Sequence, residues 1–495
     1  MPQIFHEPAL TPPRAPRQKI RGLGCRCCGP RLAAFTCQAN DEVRRSASAR
    51  AGAAQGRSDS APPPRARKTA PPAILFENVR IFDGKSDALS APSFVLVSGN
   101  LIKTISPTPI IASENENATL IRIEGRGRTL IPGLIDAHAH LMFSTLPQMT
   151  ILTSDVGFIN VAAVKAANDM LLRGFTSVRD LGGPVFGLKR GIDAGLAAGP
   201  RIWPSGAFIS QTGGHGDFRS PNDFPARPDD YSFSERAGAS AIADDAATVR
   251  KRAREQLALG ASQIKLMAGG GVASPYDPLD VTQFTPEEMR AGAEAAENWG
   301  TYATVHAYTP RAVRQSIAAG VRCIEHGQLL DDATVALMAE KNIWWSLQPF
   351  LDIGESPFGE GAPSRRKELE MFRGTDGAYH LAIKHKVKTA WGSDILFDPK
   401  AAAGQGANLT RLLRWHSSAE ILKMATSVNA ELLALSGPRS PYEGKLGVVE
   451  EGALADLLLV DGDPLANIGL IERPEENFLM IVKDGKIYKN VLPNK

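Results

Sequence analysis

The stretch IPGLIDAHAH, residues 131–140, places His138 and His140 two positions apart, directly after an apolar run. Side chains two positions apart in a β-strand point to the same face of the sheet, so both imidazoles can reach one ion. Imidazole nitrogens are good ligands for Zn²⁺. The pair therefore predicts a metal site that begins at the end of a buried strand.

Three more residues that could bind a metal, together with one lysine, lie in or at the end of later apolar runs. They are Lys265 in QIKLMAGGG, His306 in TYATVHAY, His326 in VRCIEHG and Asp394 in VKTAWGSD. Asp394 can bind a metal and also accept a proton from water, as general base catalysis requires. Taken alone, Lys265 is equally consistent with a snorkelling or ion-paired lysine.

These residues need elements that bring them to one place. Eight apolar runs alternate with helical stretches rich in Ala, Leu, Glu and Arg, and several of those stretches end in Gly. Parallel strands covered on both faces have such continuous apolar sequences. The pattern predicts an α/β fold, a (β/α)₈ TIM barrel with its active site at the carboxyl ends of the strands. The runs are GLIDAHAH, FTSVRDL, RIWPSGAFIS, QIKLMAGGG, TYATVHAY, VRCIEHG, IWWSLQPF and VKTAWGSD.

Short alternating segments rich in β-branched residues lie on both sides of this region. ILFENVRIFDG and SFVLVSGNLIKTI precede it, and LADLLLVDGDP and FLMIVKDGKIYKN follow it. Asp-Gly pairs at 461–462 and 484–485 are hairpin-turn signals. We therefore predict a small composite β-sandwich domain from residues 73–131 and 440–493, beside a catalytic barrel at 132–439.

Residues 1–72 carry 13 Lys and Arg against four Asp and Glu, and are rich in Pro, Ala and Ser. They show no hydrophobic period, which predicts a disordered basic N-terminal extension. An organelle transit peptide is the alternative, since the segment is Arg-rich and poor in acids. The CRCC cluster at 25–28 lacks a second paired cluster at zinc-finger spacing.

The rest of the chain is mildly acidic, with 43 Lys and Arg against 49 Asp and Glu. It has no basic patch with interleaved aromatics, so we expect no nucleic-acid partner. No stretch approaches the ~20 apolar residues of a membrane helix, so we expect no membrane partner. Only Cys323 lies beyond residue 72, which favours a reducing, cytoplasmic location, or a mitochondrial one if residues 1–72 are a transit peptide.

The order His-x-His, Lys, His, His, Asp on successive predicted strands resembles the amidohydrolase superfamily in its two-metal form. PGLIDAHAHL is a specific match, and the resemblance covers roughly residues 74–490. ISQTGGHGD, IKLMAGGGV, VHAY and IEHG are similar to the imidazolonepropionase-related group, which includes Xaa-Pro dipeptidases and ochratoxinase. Members of that group cleave an amide next to an amino-acid-like carboxylate.

The resemblance implies two divalent metal ions, Zn²⁺ or similar, as cofactors. The more buried ion would be bound by His138, His140 and Asp394, and the second by His306 and His326. The substrate would be a small-molecule amide such as a dipeptide, an N-acyl amino acid or an ochratoxin-like amide. Relatives commonly form multimers, so we expect a homo-oligomer.

The resemblance also gives Lys265 a role. CO₂ would carboxylate it to a carbamate that bridges both ions, because an ammonium group would repel them. A hydroxide between the ions would attack the amide carbonyl, and Asp394 would pass the proton to the leaving amine.

Several further residues are candidates for substrate contact. His215, in the GGHGD loop, is predicted to bond the tetrahedral oxyanion, and the alternative is a histidine that orders its loop. Tyr276 is a candidate for the substrate carbonyl or carboxylate, and a packed loop aromatic is equally consistent. Arg179 and Arg219 could bind a substrate carboxylate, and nothing in the sequence selects either.

Two other functions stay open. A cyclic-amide hydrolase or deaminase can use the same scaffold, although deaminases of the superfamily generally use one metal and lack the lysine ligand. A non-catalytic relative is the second alternative, although such relatives usually lose several ligands, whereas all six are present here.

Overall fold

The computed structural model describes residues 73–111, 120–224, 230–274 and 276–492. The predicted extension at 1–72, with its CRCC cluster and the transit-peptide alternative, lies outside the described residues.

The strands are β1 (Ala73–Ile81), β2 (Ser93–Ser98), β3 (Leu101–Ser106), β4 (Leu120–Glu124), β5 (Thr129–Pro132), β6 (Leu134–Ala139), β7 (Phe175–Asp180), β8 (Arg201–Pro204), β9 (Phe208–Ser210), β10 (Ser240–Ile242), β11 (Ile264–Met267), β12 (Ala303–Ala307), β13 (Cys323–His326), β14 (Trp344–Leu347), β15 (Thr389–Trp391), β16 (Leu457–Val460), β17 (Phe478–Lys483) and β18 (Lys486–Asn490).

The α-helices are α1 (Gln148–Thr153), α2 (Val156–Leu172), α3 (Phe186–Asp193), α4 (Phe233–Arg236), α5 (Ala246–Leu259), α6 (Pro286–Asn298), α7 (Pro310–Ala318), α8 (Asp332–Glu340), α9 (Pro363–His385), α10 (Pro399–Ala403), α11 (Gln405–Thr410), α12 (Ser418–Lys423), α13 (Asn429–Ala434) and α14 (Pro474–Asn477). Short 3₁₀ helices cover Pro221–Asp223, Arg411–Arg414, Gly437–Arg439 and Ile468–Glu472, and a π-helical turn covers Met424–Val428.

All eight predicted apolar runs contain strands. β6, β7 and β8 form a parallel three-stranded sheet, and β10-β9-β11-β12-β13-β14-β15 form a parallel seven-stranded sheet. The prediction that RIWPSGAFIS is one strand was wrong, because β8 and β9 lie in different sheets. Gly206 between them has a φ of +76°, a left-handed conformation that glycine adopts without strain.

Hydrogen bonds connect each edge of the three-stranded sheet to residues that flank β11 or β15 of the seven-stranded sheet. Ser262 N donates to Pro204 O at 2.7 Å, and Asp394 N donates to His138 O at 2.8 Å. A Cβ on Gly392 would lie 2.3 Å from the Cβ of His138, so glycine permits this close approach. Among the described residues no ladder pairing continues across either edge. The two sheets and their helices give a TIM-barrel-like α/β fold.

The two ends of the described chain meet in an eight-stranded sheet. Its order is β18-β17-β16-β5-β1-β2-β3, with β4 beside β1. β16 runs antiparallel to β5, so a strand from the C-terminal end pairs directly with one from the N-terminal end. The pairing joins the two ends of the described chain in one sheet, and a separate composite β-sandwich domain with the stated boundaries stays a prediction.

The two Asp-Gly pairs behave differently. Asp484 and Gly485 form the two-residue turn between β17 and β18, with φ values of +54° and +68°, as a hairpin of this length requires. The pair at 461–462 instead begins a longer connection, in which a 3₁₀ helix and α14 precede β17. The hairpin prediction was therefore right at the second pair and wrong at the first.

Two further observations bear on the expected absence of a membrane partner and on the cysteine of the described chain. No helix in the described ranges is long and apolar enough to cross a membrane. Cys323 is buried in β13 and is a free thiol.

Candidate active site

All six predicted ligands and His215 line one cavity of about 420 Å³ at the carboxyl ends of the parallel strands. Each comes from the strand predicted for it, or from the loop that follows that strand. Apolar and aromatic side chains form much of the remaining wall, and they include Phe208, Met267, Tyr308, Phe350 and Met371.

The carboxylate of Asp394 lies among three of the histidines. Its Oδ1 is 3.1 Å from Nε2 of His138 and 3.1 Å from Nε2 of His140, and its Oδ2 is 3.8 Å from Nδ1 of His326. The ligand atoms of His138, His326 and Asp394 all lie within 4.8 Å of one another. Such a cluster is compact enough for one ion to contact several members, since metal–ligand bonds are about 2.0–2.2 Å long.

Two of these residues have an uncommon backbone. The φ angles of His326 and Asp394 are +74° and +47°, in the left-handed region. Non-glycine residues adopt it rarely, and such residues concentrate at active sites. At His326 the consequence is visible, because the regular strand alternation is broken there. Glu325 and His326 are adjacent in sequence, yet both lie beside His138.

Glu325 is a site residue that the sequence analysis missed. Its Oε2 is 2.9 Å from Nδ1 of His138, and Arg179 donates two hydrogen bonds to its carboxylate at 2.8 and 2.9 Å. Metal-binding histidines commonly donate their other ring N–H to a carboxylate, which fixes the orientation of the ring. Burial alone would raise the pKa of Glu325, but Arg179 and His138 hold it well below its ordinary value.

Both arginine candidates are bound to protein groups. Arg179 is fully buried and also donates from Nε to Ala137 O at 2.6 Å, so it supports Glu325 and has no surface left for a substrate carboxylate. Arg219 forms a two-point ion pair with Asp217, at 2.7 and 2.6 Å. Neither arginine lines the cavity of the metal ligands.

Gln348 is a second residue that the sequence analysis missed. Gln348 directly follows β14. Nδ1 of His326 donates a hydrogen bond to Gln348 Oε1 at 2.8 Å. The seventh run, IWWSLQPF, contains no histidine or carboxylate, and its Trp345 is fully buried core. His140 also directly follows its strand, so the position after a strand was a signal that could have found Gln348.

His306 and His215 form the opposite wall of the cavity. Nε2 of His306 donates to Gly270 O at 3.0 Å, which leaves Nδ1 as its free ring nitrogen. The two imidazoles stack with ring centroids 4.0 Å apart, and His306 meets His326 edge-on at 4.5 Å. Burial lowers the pKa of His215 to about 4 and holds that of His306 well below its ordinary value.

The protonation states fit a divalent metal. Burial lowers the pKa of His140 and His326, so these imidazoles are neutral and can be ligands. Burial alone would raise the pKa of Asp394, but His138 and His140 hold it well below its ordinary value. Burial would also lower the pKa of His138, but Asp394 and Glu325 outweigh it and the pKa is raised. A metal cation bound beside His138 would oppose this rise in pKa and favour the neutral imidazole.

Lys265 lies in the middle of β11, is almost fully buried and lines the same cavity. Burial lowers the pKa of its amine to about 8, although Glu325 and Asp394 favour the charged form. A substantial fraction of this amine is therefore neutral near physiological pH.

Tyr276 is not among the described residues that line the cavity of the ligands. Its hydroxyl donates to Arg219 O at 2.8 Å, and its ring lines a neighbouring cavity of about 830 Å³. The two cavities share wall residues that include Phe218 and Phe358. The structure therefore does not place Tyr276 with the ligands, but at an outer space beside them.

One cavity at the strand ends of a parallel-sheet fold contains a carboxylate and four imidazoles that could bind metal. This arrangement is typical of metal-dependent enzymes. Residues 129–488 match the profile of the amidohydrolase family. Ochratoxinase of Aspergillus niger is 30% identical over 380 residues, which make up 73% of this chain and 75% of the relative. The chain belongs to the amidohydrolase family, and it is a hydrolase of carbon–nitrogen amide bonds.

Solved structures of a prolidase, a Xaa-Pro dipeptidase and ochratoxinase are also similar to this chain. A prolidase in complex with N-methylphosphonate-L-proline is 32% identical, with a TM-score of 0.76, and the match covers 84% of this chain and all of that one. A Xaa-Pro dipeptidase with methionine in its active site is 28% identical, with a TM-score of 0.71 and the same coverage. The crystal structure of A. niger ochratoxinase matches with 26% identity and a TM-score of 0.72, over 85% of this chain and 96% of that one.

Proposed function

We propose that the protein is a metal-dependent hydrolase that cleaves the amide bond of a dipeptide or an N-acyl amino acid, including ochratoxin-like amides. The observation that carries this proposal is the convergence of four imidazoles, Asp394 and Lys265 in one cavity. The prolidase, the Xaa-Pro dipeptidase and ochratoxinase support the substrate class by their names.

In this proposal two divalent ions, Zn²⁺ for preference, occupy the cluster. His138, His140 and Asp394 would hold one, and His306 and His326 the other. When bound, such ions lower the pKa of water and polarise a carbonyl oxygen.

Lys265 would join the ligand set as a carbamate. The low pKa of its buried amine supports this, because the neutral nitrogen is the form that adds to CO₂. The ammonium form first releases one proton to give the neutral amine. A nitrogen–carbon bond then forms as one carbon–oxygen π bond of CO₂ breaks, a second proton leaves the nitrogen, and the residue becomes an anion with two oxygen donors. The charge of the side chain thus changes from positive to negative, which suits a residue in the wall of a cation site.

Asp394 would move the proton of the reaction. Its low pKa keeps it ionised, and its Oδ1 lies beside both His138 and His140. It would accept a proton from the attacking water and pass it to the leaving nitrogen. His215, on the opposite wall beside His306, would contact the substrate, and Tyr276 would contact only a substrate that extends into the outer cavity.

A hydrolysis screen of the Zn²⁺-loaded protein tests the function. Xaa-Pro and Xaa-Arg or Xaa-Lys dipeptides and aromatic N-acyl amino acids would be compared, with Asp394→Asn as the matched inactive control. We expect hydrolysis of at least one of these classes and about two ions per chain. One ion per chain, with turnover of cyclic amides or amino-purines only, would favour the cyclic-amide hydrolase or deaminase instead. Absence of both metal binding and turnover would indicate a non-catalytic relative.

Assembly and location are part of the proposal. We propose a homo-oligomer, which the exposed apolar side chains Met149, Phe158 and Val161 at α1 and α2 support. The free thiol of Cys323 supports a reducing compartment, the cytoplasm or, with a transit peptide at 1–72, the mitochondrion. We propose neither a nucleic-acid nor a membrane partner. The molar mass in solution, from light scattering, tests the oligomer.

A further inference from the structure

A closed set of hydrogen bonds surrounds His215 on the side away from the metal ligands. The backbone N of His215 donates to Gln283 Oε1 at 3.0 Å, and Gln283 Nε2 donates to Asp277 Oδ2 at 3.0 Å. Gly271 N donates to the same Oδ2 at 3.0 Å. The Ser274 hydroxyl donates to Asp277 Oδ1, and Ser274 Oγ lies 2.8 Å from Nδ1 of His215.

The position of one hydrogen in this set is forced. A serine hydroxyl has one hydrogen, and a carboxylate has none to donate. Since Ser274 Oγ is in hydrogen-bond contact with Asp277 Oδ1, the hydroxyl hydrogen lies between these two oxygens. Toward His215, Ser274 can therefore only accept, and Nδ1 of His215 must be the donor. The uncharged ring is the Nδ1–H tautomer, and its lone pair is on Nε2.

The loop that carries Ser274 and Asp277 is itself fastened from another element. Lys367, in α9, donates all three of its ammonium hydrogens to backbone carbonyls of this loop. The acceptors are Gly271 O at 2.6 Å, Ser274 O at 2.7 Å and Asp277 O at 3.0 Å. The helix after β14 thus holds the loop after β11, which in turn orients a ring on the loop after β9.

The ring has little freedom in the remaining directions. His306 stacks on one side at 4.0 Å. A Cβ on Gly271 would lie 2.0 Å from Nδ1 of His215, so the Gly271 backbone touches the ring as well. Nε2 of His215 has no hydrogen-bond partner among the described residues, and the residue lines the ligand cavity. Nε2 is therefore the nitrogen left for a substrate.

We propose that Ser274, Asp277 and Lys367 are positioning residues that fix the His215 ring as the Nδ1–H tautomer, with Nε2 presented to the substrate. In this tautomer the uncharged ring offers Nε2 as a hydrogen-bond acceptor, for an amide N–H or a water. It cannot donate to an oxyanion, which is the role that the sequence predicts for His215. The catalytic consequence rests on the proposed amide hydrolysis, whereas the tautomer does not.

The first experiment reads the tautomer. The Zn²⁺-loaded full-length protein is labelled with ¹⁵N-histidine, and the His215 ring signals are assigned by their loss in His215→Gln. We expect wild-type His215 to carry its hydrogen on Nδ1 and the Ser274→Ala variant to lose this preference. Ser274→Thr, which keeps the hydroxyl, should retain it. A wild-type ring with its hydrogen on Nε2 would overturn the proposal, whether or not any variant folds.

The second experiment reads turnover. Ser274→Ala, Asp277→Asn and Lys367→Met should each lower kcat about 10- to 100-fold, the usual effect of losing such a support, with less than about threefold change in KM and unchanged metal content. Ser274→Thr and Lys367→Arg should restore most of kcat. The matched controls are Ser316→Ala, a buried serine bonded to Ala312 O, and Lys384→Met, in the same helix as Lys367.

The outcomes of these experiments distinguish a failure of the positioning role from a failure of the proposed amide hydrolysis. Equal losses of kcat in the controls, or retention of the Nδ1–H tautomer in Ser274→Ala, would contradict the positioning role. If no amide is hydrolysed by the wild type, the proposed function fails, and the tautomer measurement alone decides this inference.

Discussion

The two walls of the candidate site are built differently. On the wall of His138 and Asp394 the supports are strand residues, and the partner of His138 is the fully buried pair of Glu325 and Arg179. On the wall of His306 and His215 the supports are loop groups. The first wall is part of the parallel-sheet core, whereas the second depends on loops that other loops and a helix hold in place.

The metal ligands with their strand supports and the loop groups around His215 meet different requirements, metal binding for the first and substrate recognition for the second. A metal cluster needs ligands fixed to within a fraction of an ångström, and strands in a packed core supply that. Substrate recognition varies between relatives of one fold, and loops can change without loss of the core. We therefore expect changes at the metal ligands and their strand supports to remove metal, and changes at the loop groups around His215 to lower turnover with the metal retained.

The largest effect is expected at Lys265. Lys265→Ala removes the proposed bridging anion, so most metal should be lost and activity should fall roughly 1000-fold or more, since metal catalysis contributes several kcal/mol. Metal content by elemental analysis and kcat/KM measure the result, and added short carboxylates should restore part of it. Lys483→Ala is the matched control, because Lys483 is also a buried lysine with a pKa lowered to about 8 by burial, outside this cavity. Full metal content and turnover in Lys265→Ala would refute the carbamate bridge.

The next effect is expected at Glu325, in two separable parts. Glu325→Gln should weaken metal retention about 10- to 100-fold by releasing the His138 ring, and leave Arg179 buried without its counter-ion, which costs roughly 3–5 kcal/mol of stability. The double variant Arg179→Met with Glu325→Gln should recover stability but not metal affinity. Urea unfolding and a competition assay with a chelator measure the two quantities. If metal affinity recovered together with stability, Glu325 would be a purely structural residue.

The sequence alone predicts the strand-end residues of the site well. The spacing of His138 and His140 and the repeated position of His306 and His326 at strand ends are local patterns, and the TIM-barrel-like arrangement follows from alternating apolar runs and helices. Glu325 was missed because regular alternation directs it away from the site, and only the positive φ of His326 brings both residues to one place. A backbone angle of this kind is set by tertiary packing and leaves no mark in the pattern of residue types.

The loop wall is harder to predict for a physical reason. The contact of His215 with Ser274 joins residues 59 positions apart, and the contacts of Lys367 with the loop join residues 90 to 96 positions apart. Loops have no hydrophobic period from which their path can be inferred. Tyr276 illustrates the limit, since it was a candidate for substrate contact but its side chain lines the outer cavity.

A smaller effect is expected from a single methyl group on the loop wall. Gly271→Ala would place a Cβ 1.9 Å from the His215 ring and displace it, so kcat should fall about tenfold with metal content unchanged. Gly269→Ala is the matched control in the same loop, because its Cβ would meet no atom closer than 3.4 Å. A loss of metal in Gly271→Ala would show that the two walls are not independent.

The smallest effect is expected at Tyr276. Tyr276→Phe removes one hydrogen bond, from the hydroxyl to Arg219 O, whose net value is about 0.5–1.5 kcal/mol. Because the ring lines only the outer cavity, KM for small dipeptides should change less than about twofold, and KM for a bulky aromatic N-acyl amino acid should rise by more. The ratio of the two KM values is the measurement. A large loss of kcat for both substrates would place Tyr276 at the reacting amide, and the outer cavity would then be part of the catalytic wall.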